Sequence, residues 1–158
     1  MAIERTLGII KPDAVAAGKM GEILSMISKA GFKIAAMKTA HLTREQAAEF
    51  YAVHAERPFF PDLIDFMTSG QIVAMTLEKE NAVAAWRELM GPTDSTQAGP
   101  DTVRGRFGTS VSRNAVHGSD SQENAVKEIL FFFPLSKKET KKATDNTHLT
   151  WDRPFPAT

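Results

Sequence analysis

The stretch Arg113-Asn114-Ala115-Val116-His117-Gly118-Ser119-Asp120-Ser121 sets a histidine at the end of a predicted strand, with glycine and serine leading into a helix. A helix N-terminus offers free N–H groups and partial positive charge, which favour phosphate and other anions. Histidine is the side chain most readily used as nucleophile or acid–base near neutral pH. Two readings stand side by side: a nucleophile facing an anion, or a hydrogen-bonded turn histidine beside an ordinary serine cap. His41 at a strand end, His54 at a helix end and His148 near the C-terminus show no metal-like spacing to one another or to paired acids. With no cysteine and no G-x-S-x-G elbow, covalent catalysis has His117 as its one plausible nucleophile.

Positive charge is spread along the chain at Lys11, which ends the first predicted strand, at Arg87 on a predicted helix, and at Arg104 just after a long loop. Each reads alone as a solvated surface charge. Together with Thr93 they would make a polyphosphate clamp, since arginine offers bidentate contacts and lysine a point charge. Neither G-x-x-x-x-G-K-[ST] nor G-x-G-x-x-G occurs, so nucleotide handling here needs neither a P-loop nor a Rossmann turn. Arg57-Pro58-Phe59-Phe60-Pro61 places paired aromatics at a helix start, which reads as core packing or as a stacking platform for a base.

These residues need elements to hold them. Ile3 to Ile10 is β-branched and apolar and stops at Lys11-Pro12-Asp13, a strand and a turn. Ile23, Leu24, Ile27 and Ala30 have helical spacing and Gly31 closes their helix. Phe32 to Leu42 alternates as a strand. Thr43 with Gln46 makes a capping box for a helix through about His54, and Phe59 to Ser69 reads as a further short helix. Ile72 to Leu77 is a third strand, and Asn81 to Met90 a helix with Val83, Trp86 and Met90 on one face. Gly91 to Asp101 reads as loop, Asn114 to His117 as a short strand end, and Ser121 to Phe133 as a helix buried through Val126, Ile129, Leu130 and Phe133. The order β-α-β-(α-α)-β-α-loop-β-α predicts a split βαβ arrangement, an antiparallel sheet with helices on one face.

At 158 residues the chain is the size of one domain and needs no disulfide to stabilise it. Lysine and arginine total 19 and so do the acids, so bulk electrostatic binding to nucleic acid or to a membrane surface is not expected. No run approaches the ~20 apolar residues of a membrane span, and the N-terminus lacks an apolar signal core. A cytoplasmic protein is the expectation.

Glu4-Arg5-Thr6, Ile10-Lys11-Pro12-Asp13-Ala14-Val15, Arg57-Pro58-Phe59-Phe60, Ser69-Gly70, Val103-Arg104-Gly105 and Asn114-Ala115-Val116-His117-Gly118-Ser119-Asp120-Ser121 stand in an order that resembles the nucleoside diphosphate kinases from about Ile3 to Phe133. The resemblance implies an α+β, ferredoxin-like βαββαβ fold, with helices packed on an antiparallel sheet. It implies a single domain over residues 1–158, with a core of about 3–134 and a tail over 135–158. The implied activity is ping-pong transfer of the γ-phosphate of a nucleoside triphosphate, mainly ATP, to a ribo- or deoxyribonucleoside diphosphate through a phosphohistidine. It makes His117 the nucleophile, Glu128 the carboxylate that orients its ring, and Ser119 a support for that pair. Lys11, Tyr51, Arg87, Thr93 and Arg104 match phosphate contacts, and Lys11 and Asn114 match contacts to the ribose hydroxyls. Phe59 matches the base-stacking ring, with Leu63 and Val111 lining the slot. Mg²⁺ is the implied cofactor, held mainly by the nucleotide's phosphates with Asp120 nearby.

A homo-oligomer, tetramer or hexamer, is implied as well. The tail, with Lys137, Lys138, Lys141 and Lys142 and then Trp151 and Phe155, is expected to lie on another subunit. Two other function classes compete. A non-catalytic nucleotide sensor would lack His117 or Lys11, and both are present. A nucleic-acid regulator would use the Lys-rich tail, against a net charge of zero.

Overall fold

The protein is described over residues 3–135 in a computed structural model. β1 (Ile3–Ile10) runs through the sheet interior, with β3 (Ile72–Glu80) on one side and β4 (Val116–Gly118) on the other. β2 (Lys33–Ala40) pairs with β3, so the order is β2-β3-β1-β4 and every ladder is antiparallel. The helices are α1 (Pro12–Ala16), α2 (Met20–Lys29), α3 (Arg44–Phe50), α4 (Phe60–Met67), α5 (Ala82–Met90), α6 (Val103–Phe107) and α7 (Gln122–Phe132). Single 3₁₀ turns occupy Ala52–His54 and Ser95–Gln97.

β1 and β3 are buried on both faces, because helices cover both sides of the sheet rather than one. Side chains alternate across a strand. Ile10, Val73, Met75 and Leu77 meet Ile23 and Ile27 of α2 and Trp86 and Met90 of α5. Leu7, Ile9, Ile72 and Ala74 meet Ala47 of α3, Ile64 and Met67 of α4, and Ile129 and Phe132 of α7. The expectation of one covered face fails because hydrophobic runs such as Leu7 to Ile10 have no polar side to leave in water.

Other boundaries shift for local reasons. Thr43 and Gln46 form the reciprocal capping box, but α3 stops at Phe50 and the chain reaches His54 through a 3₁₀ turn. Pro12 opens the short helix α1 in place of a simple turn. The long excursion after Gly91 is not all loop: it holds the 3₁₀ turn, and α6 follows, capped by Thr102. Gly105 conceals α6 from a propensity reading, yet it is needed there, because a Cβ would stand 1.9 Å from the Gly99 carbonyl oxygen. In α7 the buried residues are Ala125, Ile129 and Phe132, so Val126 and Leu130 lie only at the margin of the buried face. The tail beyond Leu135, including Trp151 and Phe155, lies outside the described residues.

Trp86 is the largest fully buried side chain among the described residues, and it sits under the junction of β1 and β4. Its Nε1–H donates to the His117 carbonyl at 3.0 Å. That approach requires glycine on the strand above: a Cβ at Gly118 would lie 2.6 Å from Trp86 Cδ1 and 2.5 Å from Met90 Cε. The methionine tip can move, but the indole cannot move without losing its bond to His117. Gly118→Ala is therefore expected to lower stability by about 1–3 kcal/mol, the usual cost of overpacking, read as a fall in the denaturant midpoint at unchanged m-value.

Candidate active site

In the β1–β4 ladder, Gly8 stands opposite Gly118 and Ile9 opposite His117. The pleat therefore sends Gly118 toward α5 and His117 to the opposite face, where α3 and α7 pack. There the His117 Nε2 lies 2.5 Å from Glu128 Oε1, with both side chains about one-fifth exposed. Glu128 precedes the core residue Ile129 on α7, so packing of that helix on Leu7 and Ile9 carries the carboxylate to the histidine. The rings of Phe50 and Tyr51 meet the imidazole edge-on at centroid distances of 5.5 and 6.0 Å. Ser119 is fully buried, but its hydroxyl accepts from the Leu7 N–H at 3.4 Å; its partner is β1 rather than Glu128.

The polar chain beside the histidine begins where β1 ends. Lys11 Nζ donates to Asn114 Oδ1 at 2.8 Å, and Asn114 Nδ2 donates to the Thr93 carbonyl at 3.1 Å. Arg104 is pinned by backbone carbonyls, donating to Gly91 O at 2.9 Å and to Val116 O at 3.0 Å. Burial, with Arg104 nearby, brings the Lys11 ammonium down to about 8, partly opposed by the Asp13 carboxylate. Burial and the neighbouring Arg87 bring Arg104 down to about 10, and Arg87 itself is exposed. Lys11, Arg87, Arg104 and the Asn114–Thr93 pair thus form one cationic cluster.

Two buried donors there have no hydrogen-bond partner among the described residues, the Tyr51 hydroxyl and Arg104 Nε. Burial and the charge of Glu128 push the Tyr51 hydroxyl above its usual range, so it stays a donor. An oxygen-rich anion supplies what such donors lack.

Asp13, read from sequence only as part of a turn, fixes the strand that carries the histidine. Its Oδ2 accepts from the Ala115 N–H at 3.1 Å, and the Ala115 carbonyl accepts from Lys11 N–H at 2.8 Å. Ala115 has φ 70°, a left-handed conformation that costs an alanine about 1–3 kcal/mol. Those two bonds hold it there. Phe50 and Trp86 are the other residues the sequence reading missed at the site. Trp86 gave the signal of a core helix face, and Phe50, adjoining Tyr51, gave none.

The paired aromatics divide their roles. Phe60 packs on the core, whereas Phe59, at the N-cap of α4, is 50% exposed. The His54 ring lies 5.6 Å from Phe59 and stacks at 6.5 Å on Tyr51, so a run of rings links Phe59 to His117. Leu63 follows Phe59 by one helical turn. Val111, 56% exposed, tips the turn between Thr109 and Arg113.

Asp120 is exposed at the start of α7. The Asn124 amide donates to it at 2.6 Å and holds its carboxyl below the ordinary range. Among the described residues no group of three or more His, Cys, Asp or Glu is placed to hold a metal ion. No helix among them is long and apolar enough to cross a membrane.

A carboxylate-held imidazole beside a cationic cluster can act as a nucleophile toward an anion such as phosphate. The family model for nucleoside diphosphate kinase matches residues 4–138. A nucleoside diphosphate kinase of Paracidovorax citrulli is 58% identical over 134 residues, covering 85% of this chain and 95% of the relative. One of Nitratiruptor sp. is 60% identical over 131 residues, covering 83% and 96%. The crystal structure of the Aquifex aeolicus nucleoside diphosphate kinase superposes with a TM-score of 0.83 at 50% identity, covering 87% of this chain and 99% of the other. That of Encephalitozoon cuniculi superposes at 0.80 and 35% identity, covering 87% and 98%. With the motifs, the fold and both kinds of relative in agreement, the chain belongs to the nucleoside diphosphate kinase family and is a phosphotransferase.

Proposed function

We propose that His117 carries the phosphoryl group between nucleotides. The observation that supports this most directly is the 2.5 Å contact of its Nε2 with Glu128. With Nε2–H donating to the carboxylate, the lone pair resides on Nδ1. Nδ1 attacks the γ-phosphorus, the P–O bond to the β-phosphate breaks, and the nucleoside diphosphate leaves with that electron pair. The positive charge that develops on the ring is balanced by Glu128. A second nucleoside diphosphate then attacks the phosphohistidine, its terminal oxygen forming the new P–O bond as the P–N bond breaks.

Lys11, Arg87, Arg104, Thr93 and the Tyr51 hydroxyl bind the phosphates, and Lys11 and Asn114 also hold the ribose hydroxyls. Such transfer is mainly positioning and charge stabilisation, which suits a fixed cationic cluster. Phe59, with Leu63 and Val111, stacks the base; every base has a π-face, so all are accepted. A kinase of this family works with a divalent metal. Mg²⁺ would be brought in on the nucleotide's phosphates, and Asp120, an exposed carboxylate held below the ordinary range, is the acid of this chain that would lie near it. When bound it neutralises phosphate charge.

Incubation with γ-labelled ATP and Mg²⁺, without acceptor, is expected to yield one labelled phosphate per chain, acid-labile and alkali-stable, discharged by any nucleoside diphosphate. His117→Ala should not label and should keep nucleotide binding. Glu128→Ala should label more slowly by about 10²-fold, the scale of one lost electrostatic stabiliser of developing charge. Label on the His117→Ala chain, or in an alkali-labile serine ester, would place the nucleophile elsewhere.

The Lys11 shift gives a pH dependence. Below about 8 the free protein holds Lys11 charged; above it, the lysine is increasingly neutral. A bound polyphosphate favours the charged form. Nucleotide binding should therefore weaken as pH rises through that value and take up a proton there. Calorimetry at pH 8.5 in buffers of different ionisation enthalpy should show this uptake, which should vanish at pH 6.5 and in Lys11→Met.

The assembly we propose is a homo-oligomer, tetramer or hexamer. β2 has no strand on its outer edge among the described residues, and Met37 on it is half exposed. An open edge with apolar side chains is the surface a neighbouring subunit covers. Sedimentation of the full chain should give a tetramer or hexamer, and a chain ending at Lys142 should assemble less stably. A monomeric full chain would refute the assembly, and unchanged assembly on shortening would remove the tail from the interface.

A further inference from the structure

Phe59, Leu63 and Phe66 stand at i, i+4 and i+7, so they form one stripe along α4 that begins at the exposed Phe59. Arg113 lies over the far end of that stripe, its guanidinium carbon 5.5 Å from the centroid of the Phe66 ring. The same residue closes the turn that carries Val111. Its carbonyl accepts from Thr109 N–H at 2.8 Å and from Ser110 N–H at 3.3 Å, and its own N–H donates to Ser110 Oγ at 3.0 Å. Arg113 thus locks the turn through its backbone and lays the turn against α4 through its side chain. Ser112 separates it from Val111.

We infer that Arg113 and Phe66 act as a clasp that sets the distance between the two walls of the base slot, α4 with Phe59 and Leu63 on one side and the 109–113 turn with Val111 on the other. The inference rests on the proposed base slot and deepens it. Arg113 is a positioning residue: it acts through Val111 and the turn. A cation over an aromatic face is attractive even at an exposed site, and Arg113 is exposed. Phe66 is half-buried and packs on the core of its own face, so the ring is the fixed member and the turn the movable one.

The test is steady-state kinetics and binding with Arg113→Ala, Phe66→Leu and the double variant. Arg113→Lys is added because it keeps a cation for the ring. Phe66→Leu keeps apolar packing, and thermal melts establish that each variant is folded. Each single variant should raise KM for purine and pyrimidine nucleoside diphosphates roughly two- to fivefold, the loss of one exposed cation–π contact. Turnover at saturation should not change. The double variant should be no worse than either single, and Arg113→Lys should recover part of the loss.

Binding of inorganic triphosphate, which has no base, should be the same for all of them. If Arg113→Ala weakened triphosphate as much as nucleotide, Arg113 would be a phosphate contact and the clasp wrong. Unchanged KM for every nucleotide, or additive effects in the double variant, would also overturn it. Phe59→Ala run in parallel separates the two levels: if it leaves every KM unchanged, the base slot itself is misplaced, whatever Arg113 does.

Discussion

A strand buried on both faces cannot slip in register without burying the wrong side chains, and β1 is such a strand. Its pairing with β4 places Ile9 against His117 and Gly8 against Gly118. From that register the site follows. The pleat points the imidazole at α7 and α3, and it leaves bare backbone where Trp86 must approach. One indole on the far face holds the His117 carbonyl while one carboxylate on the near face holds its ring. The histidine is fixed from both sides of the sheet.

The end of β1 has a second consequence, which is electrostatic. Lys11 leaves the strand into a place already shared with Arg104, and burial there makes positive charge costly. Bonds to Asn114 and to backbone carbonyls hold the two in place in spite of that. A pocket that keeps cations against burial and mutual repulsion gains most when a polyanion enters, because the anion lowers both costs together. The left-handed Ala115 belongs to the same economy of strain: its conformation is unfavourable alone and is imposed by Asp13 and Lys11 on either side.

Much of this was legible in the residues. The strands at Ile3, Phe32 and Ile72 and the helix after Ser121 showed through periodicity, because each has a continuous or alternating apolar pattern. The capping box at Thr43 was legible because its chemistry is local. What periodicity could not show was which side of the sheet each helix takes. His117 and Glu128 are 11 residues apart, and nothing in that interval says that α7 lies on the face to which the imidazole turns. Their pairing came from family resemblance, as did the grouping of Lys11 with Asn114. α6 was hidden by a glycine that tertiary crowding demands, and Asp13 by an ordinary turn sequence.

The sheet order also bears on how the chain must be made. β1 precedes its partners β3 and β4 along the chain and is synthesised before them. Its contacts wait for residues far downstream: Arg5 meets Glu78 across 73 residues, and Leu7 meets Ser119 across 112. Until then, an apolar, β-rich segment with two faces to hide stands uncovered, the kind of segment that joins others like itself. Charges and a proline bracket it, Glu4 and Arg5 before Leu7 and then Lys11, Pro12 and Asp13 after Ile10. Residues of this type at the ends of a hydrophobic strand discourage pairing between chains. Lys11 and Asp13, which in the folded protein bond Asn114 and Ala115 just ahead of His117, thus also guard the nascent strand before any of those contacts exists.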